Sequence, residues 1–216
     1  MNIHAHAKTI LCYGDSNTFG QRSDDVNKGR WPADVRWTGR LQQLLDDDYY
    51  VIEEGLSSRT TTVDYAKKPG RNGQTYLIPC LQSHNPIDLV MLMLGTNDFK
   101  DEFQRSAQDV ADAVAELVTD IRRYAHNNDQ QTQILIVSPI HIDASAPNFA
   151  SLYGAKYSAD SVQKSLDLSD CLAQVAHDNQ CMFFDAATVA KAGEDGLHLR
   201  KESHNPLARA LQRIIM

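Results

Sequence analysis

Residues 88–94 read DLVMLML, an unbroken apolar run after one acid, and the run stops at Gly95. A strand with one wet face alternates apolar and polar residues. A continuous run bounded by a glycine is the pattern of a strand buried on both faces, which needs a covering layer above and below. Looser versions recur at KTILCY (8–13), YYVIEE (49–54), QILIVS (133–138) and CMFFD (181–185). Helical patterns lie between them. RWTGRLQQLL (36–45) sets Trp37, Leu41, Leu44 and Leu45 on one side, and TYLIPCLQSH (75–84) reads as a short helix whose first turn is weakened by Pro79. From Ala107 to Ile121, apolar residues recur at helical spacing, with Asp109, Asp112, Glu116 and Asp120 elsewhere. Helices are also expected over 158–178 and 203–215. This alternation predicts a five-stranded parallel sheet in a doubly wound, three-layer α/β/α sandwich with right-handed crossovers.

In such a sheet the functional crevice lies beyond the carboxyl ends of the strands. Those ends carry Gly14-Asp15-Ser16, Gly55, Gly95-Thr96-Asn97-Asp98, Ser138-Pro139 and Asp185, and the segment EDGLHL (194–199) follows the last strand. Each feature alone has an ordinary reading. Ser16 can cap a helix, Gly55 can turn the chain out of a strand, Asn97 can form an Asx turn, and Asp195 with His198 can be a surface ion pair. Together they supply every role that ester cleavage needs. Ser16 is a nucleophile, His198 its base, and Asp195 the group that holds the base in one tautomer. The Ser16 N–H, the Gly55 N–H and the Asn97 side-chain amide form an oxyanion hole. This chemistry calls for no metal and no cofactor. Asp15 is expected either to fix the Ser16 turn by accepting from backbone N–H groups or to act electrostatically on bound substrate. Phe19, Phe99 and Ile140 follow strand ends and either line an acyl pocket or pack in the core. Asp98 is read as a loop cap, and Arg59 as meeting an acidic substrate group or pairing with Asp64.

The chain has 216 residues and a net charge of −7, with no basic stripe. That balance argues against a nucleic-acid or anionic-membrane partner. No apolar stretch is long enough for a signal peptide or a membrane span. Cys12, Cys80, Cys171 and Cys181 show no paired spacing, so reduced thiols in a cytoplasmic protein are expected.

GDS at 14–16, EEGLSSRTT (53–61), LGTNDF (94–99) and EDGLHL (194–199) come in the order found in the SGNH hydrolase superfamily, the GDSL-type esterases, which this chain resembles. RWTGRL, VIEEGLSSRTT, DLVMLMLGTNDFK and DGLHL are similar to its arylesterase and acyltransferase (perhydrolase) branch. The resemblance implies a single SGNH hydrolase domain over 1–216 that tends to form homo-oligomers. It implies hydrolysis of short acyl or aryl esters as small-molecule substrates, with acyl transfer to alcohols or peroxide as a second outcome. A carbohydrate O-acetylesterase is the alternative within the superfamily. Asn17 replaces the family's leucine, and Phe19 stands where that branch often has tryptophan. Residues 141–160 do not match and are expected to shape the entrance. Two rivals stand outside the superfamily. A metallophosphoesterase lacks the histidine it would need in GTND. A flavodoxin-like phosphate-binding module lacks a glycine-rich phosphate loop and leaves His198 unused.

Overall fold

The computed structural model describes residue 4, residues 6–127 and residues 130–216. Its five strands are β1 (Lys8–Gly14), β2 (Tyr49–Gly55), β3 (Leu89–Met93), β4 (Gln133–Ser138) and β5 (Met182–Asp185). All pair in parallel, in the order β2-β1-β3-β4-β5. The chain therefore starts in the interior of the sheet, winds out to one edge, and returns past β1 to build the other half.

Alternation at the strands divides the interior in two. Val90 and Leu92 of β3 enter one core with Leu11 and Tyr13 of β1 and with Ile134 and Ile136 of β4. Leu89, Met91 and Met93 enter the other, with Ile10, Cys12, Leu135 and Val137. The first core is closed by α3 (Gly73–His84), α4 (Ala107–Tyr124) and α6 (Ala159–Asp178), and the second by α2 (Trp37–Leu45) and α7 (His204–Ile215). An unbroken apolar β3 is thus explained by helices on both faces. The apolar stripe of α4 is buried as its spacing predicts, and Ser106 with Asp109 forms a capping box that fixes where the helix begins.

Two elements depart from expectation. Helix α3 begins at Gly73, capped by the Asn72 side chain, so Pro79 lies inside the helix rather than in its first turn. Leu77, Cys80 and Leu81 hold it on the sheet despite the lost backbone bond. The segment 141–160 contains a short helix, α5 (Phe149–Tyr153), anchored by buried Phe149. No helix among the described residues is long and apolar enough to cross a membrane.

Candidate active site

Directly after β1 the chain makes one helical turn, α1 (Ser16–Phe19). Asp15 caps it: one carboxylate oxygen accepts from the Asn17 N–H at 2.8 Å, and the other from the Asn97 side-chain amide at 3.3 Å. Asp15 is buried, and burial pushes its carboxyl above the usual range, against the Asn17 bond and the charges of His198 and Lys100. The expected role in fixing the turn is the one its bonds describe.

Ser16 and His198 are 182 positions apart in the chain, yet Ser16 Oγ lies 2.9 Å from His198 Nε2. His198 Nδ1 is 2.5 Å from Asp195 Oδ2. The other oxygen of Asp195 accepts from the backbone N–H groups of Leu197 and His198, at 3.0 and 2.9 Å. The turn between acid and base passes through Gly196 at φ 73°, where a Cβ would sit 2.2 Å from the Asp143 carbonyl oxygen. All three side chains are buried, so their hydrogen bonds face little competition from water.

Asn17 binds this loop to the serine turn. Its amide donates to the Leu197 carbonyl at 3.3 Å and its oxygen accepts from the Leu199 N–H at 2.8 Å. The leucine that the family carries at this place could make neither bond. Trp37 supports it in turn, donating its indole N–H to the Asn17 carbonyl.

Asn97 sits in a 3₁₀ turn after β3 (Thr96–Phe99). Its oxygen accepts from the Lys100 ammonium at 2.5 Å while its nitrogen faces Asp15, so the amide is oriented from both ends. Lys100 is buried, and desolvation pulls its ionisation down to about 8, opposed by Asp98 and Asp15. No role for Lys100 is legible from its place in the sequence.

A hollow of about 150 Å³ opens above Ser16 and is lined by Ser57, Ser58, Asn97 and His198 among others. Gly55 does not line it. It pairs with Gly14 in the β1–β2 ladder, and a Cβ there would meet the Phe19 backbone nitrogen at 2.1 Å. Its lack of a side chain serves the packing of β2 against α1. Three residues on, Ser58 takes φ 69°, a left-handed conformation that favours glycine, and presents itself at the hollow.

The aromatic and aliphatic candidates are likewise placed elsewhere. Phe99 and Ile140 are buried in the two opposite cores. Phe19 lies outside the hollow beneath the Arg30 guanidinium, 4.5 Å from its ring centre. The segment 141–160 and the loop after β2 supply the walls instead, through Tyr153, Lys156, Tyr157, Tyr65 and Lys68. Arg59 is not paired with Asp64 among the described residues. It is buried, donates to the Gly14 and Glu54 carbonyls, and stacks on Tyr13. Asp98 does hold its loop, accepting from the Thr61 N–H and hydroxyl and pairing with Arg105.

Away from the hollow, Glu54, Cys80 and His84 bring three donor atoms within 4.8 Å of one another. His84 and Glu54 already share a hydrogen bond of 2.9 Å, and burial pushes the Cys80 thiol up to about 12.

The model of the GDSL-like lipase/acylhydrolase family matches residues 12–205. Among solved structures, the aryl esterase of M. smegmatis is similar at 38% identity, over 97% of this chain and 98% of that one, with a TM-score of 0.87. A carbohydrate acetylesterase from Sinorhizobium meliloti is similar at 34% identity, over 96% of this chain and 98% of that one, also with a TM-score of 0.87. No curated protein sequence matches the chain.

Proposed function

The chain belongs to the GDSL-like lipase/acylhydrolase family and is a carboxylic ester hydrolase, and from that premise we propose that residues 1–216 form one SGNH hydrolase domain that cleaves short acyl or aryl esters through Ser16, His198 and Asp195. The observation that carries this reading is the unbroken chain of contacts from Ser16 Oγ through the imidazole to Asp195, at 2.9 and 2.5 Å.

Ser16 Oγ attacks the acyl carbonyl carbon and gives its proton to His198 Nε2. Asp195 accepts from Nδ1–H, which keeps the lone pair on Nε2 facing the serine and stabilises the imidazolium that forms. The negative oxygen of the tetrahedral intermediate accepts from the Ser16 N–H, the Asn97 amide and a third donor. Ser58 suits that third place, because it lines the hollow and Gly55 does not. Collapse expels the alcohol, which takes the proton from His198. Water then attacks the acyl-enzyme with His198 again as base, releasing the acid and restoring Ser16.

The hollow's volume lies below the ~300–1,000 Å³ of sites for drug-sized ligands, which favours a short acyl group. Its walls mix lysines, serines and Gln21 with Tyr65, Tyr153, Tyr157, Val26 and Leu197. Its open mouth admits water as the acceptor, which supports hydrolysis beside transfer to alcohols or peroxide. The likeness to the S. meliloti acetylesterase supports an O-acetylated sugar as an alternative substrate. Four free cysteines fit a reducing cytoplasm, and assembly into homo-oligomers rests on the family likeness.

The test is p-nitrophenyl esters from C2 to C12, with and without an added alcohol. Turnover is expected to peak at the shortest chains and to fall at least about 10³-fold in Ser16→Ala. Undiminished turnover in that variant would overturn the proposal.

A further inference from the structure

The chain as a whole is acidic, at −7, but its hollow is not. Lys68, Lys100 and Lys156 line it, and no aspartate or glutamate does. The carboxylates of Asp15 and Asp195 lie beneath, buried and engaged in hydrogen bonds. Glu102, whose charge acts on Tyr65 and Lys100, pairs with Lys67 at 2.9 Å.

Lys100 is committed to Asn97. The two exposed lysines are not committed in this way. Lys68 donates to the Ser58 hydroxyl at 3.0 Å, and Lys156 lies over the Tyr153 ring, 5.7 Å from its centre. Neither makes a salt bridge among the described residues. They are close enough that Lys156, after burial, helps to hold the Lys68 ammonium below its usual range. Two like charges on one rim repel, and a solvated surface would let such long side chains splay apart. A second feature points the same way. Tyr157 also lines the hollow, is 3% exposed, and its hydroxyl has no hydrogen-bond partner. Burial keeps that hydroxyl protonated, so its O–H is available as another donor.

We infer that this rim is a subsite for an anionic group, and that the esters taken here carry a carboxylate or similar charge on the alcohol half. The inference rests on the proposed hydrolysis at Ser16. The alcohol half is assigned because the departing alcohol leaves through the open mouth, where Lys68 and Lys156 stand. Lys68 and Lys156 are specificity residues in this account, with Tyr157 as the neutral donor behind them.

The test compares 4-acetoxybenzoate with 4-acetoxybenzamide, which differ in charge and little in shape. At low ionic strength the carboxylate is expected to be favoured about fivefold to tenfold in kcat/KM, the worth of two exposed ion pairs. The preference should shrink as salt is added. It should vanish in the double variant Lys68→Gln, Lys156→Gln. Equal rates for the two esters, or a preference that survives the double variant, would overturn the inference. Calorimetric titration of Ser16→Ala with 4-hydroxybenzoate and 4-hydroxybenzamide reads the same subsite without turnover. Tighter binding of the acid supports the inference even if neither ester is hydrolysed, an outcome that would defeat the hydrolytic reading alone. Equal or weaker binding of the acid defeats the inference.

Discussion

An ammonium group removed from water must be held by something, and Lys100 is held by the oxygen of Asn97. In the proposed mechanism the pairing makes Lys100 a positioning residue: it points the Asn97 nitrogen away from itself and adds positive charge near the proposed oxyanion site. Burial lowers its ionisation from the ordinary 10.5 to about 8, so the charge is lost earlier than in a surface lysine as pH rises. We expect kcat to fall through an alkaline limb near pH 8, and Lys100→Met to remove the limb and lower the plateau. Rates from pH 6 to 10 for both proteins decide it. A wild-type profile that stays flat through pH 10 would contradict the role. Ser16 and Asn97 were legible as residue types at strand ends, and Asp195 and His198 in the segment after the last strand. Ser58 was not. Gly55 stands out as a glycine at a strand end, whereas the left-handed φ in this loop is borne by a serine, a cost that no residue type announces. For Phe99 and Ile140 the choice between pocket and core stayed open in the sequence, since a position after a strand does not say which way the side chain turns.

Between elements, single polar side chains do the joining. Asn17 ties α1 to the loop that carries Asp195 and His198, and His204 ties α7 to α2 by accepting from the Trp37 N–H at 3.1 Å. His204 is fully buried, and desolvation lowers its ionisation from 6.5 to about 4. Between those values the unfolded chain binds a proton that the folded chain does not. The stability contributed by His204 is therefore complete above pH 6.5 and is lost as pH falls towards 4, by roughly 3 kcal/mol in all. Urea unfolding at several pH values should show this slope in wild type and a shallower one in His204→Asn, which keeps an acceptor without the titration. Equal slopes would refute it. The long elements were readable because their periodicity extends over many residues. Helix α5 was not, because five residues hold too little repeat to register, and the first two residues of α3, Gly73 and Gln74, carry no apolar signal.

At the scale of the molecule, the parallel sheet brings chemistry to one edge. Strands β1 and β3 end at Ser16 and Asn97, and the chain beyond β5 returns with Asp195 and His198. The sheet order places β1 and β3 side by side, so the proposed nucleophile and the proposed oxyanion donor become neighbours through strand pairing alone. The parallel, doubly wound sheet was legible in the alternation of strands and helices. The lysine-rich mouth was not, since its residues lie in irregular loops far apart in the chain. The most direct measurement is the site and rate of covalent labelling by a small p-nitrophenyl phosphonate, read by intact mass and peptide mapping. One adduct per chain is predicted, on the peptide holding Ser16. It should form slowly in His198→Ala and be absent in Ser16→Ala and in urea-unfolded protein. Labelling at another residue, or at Ser16 with equal speed in His198→Ala, would contradict the account.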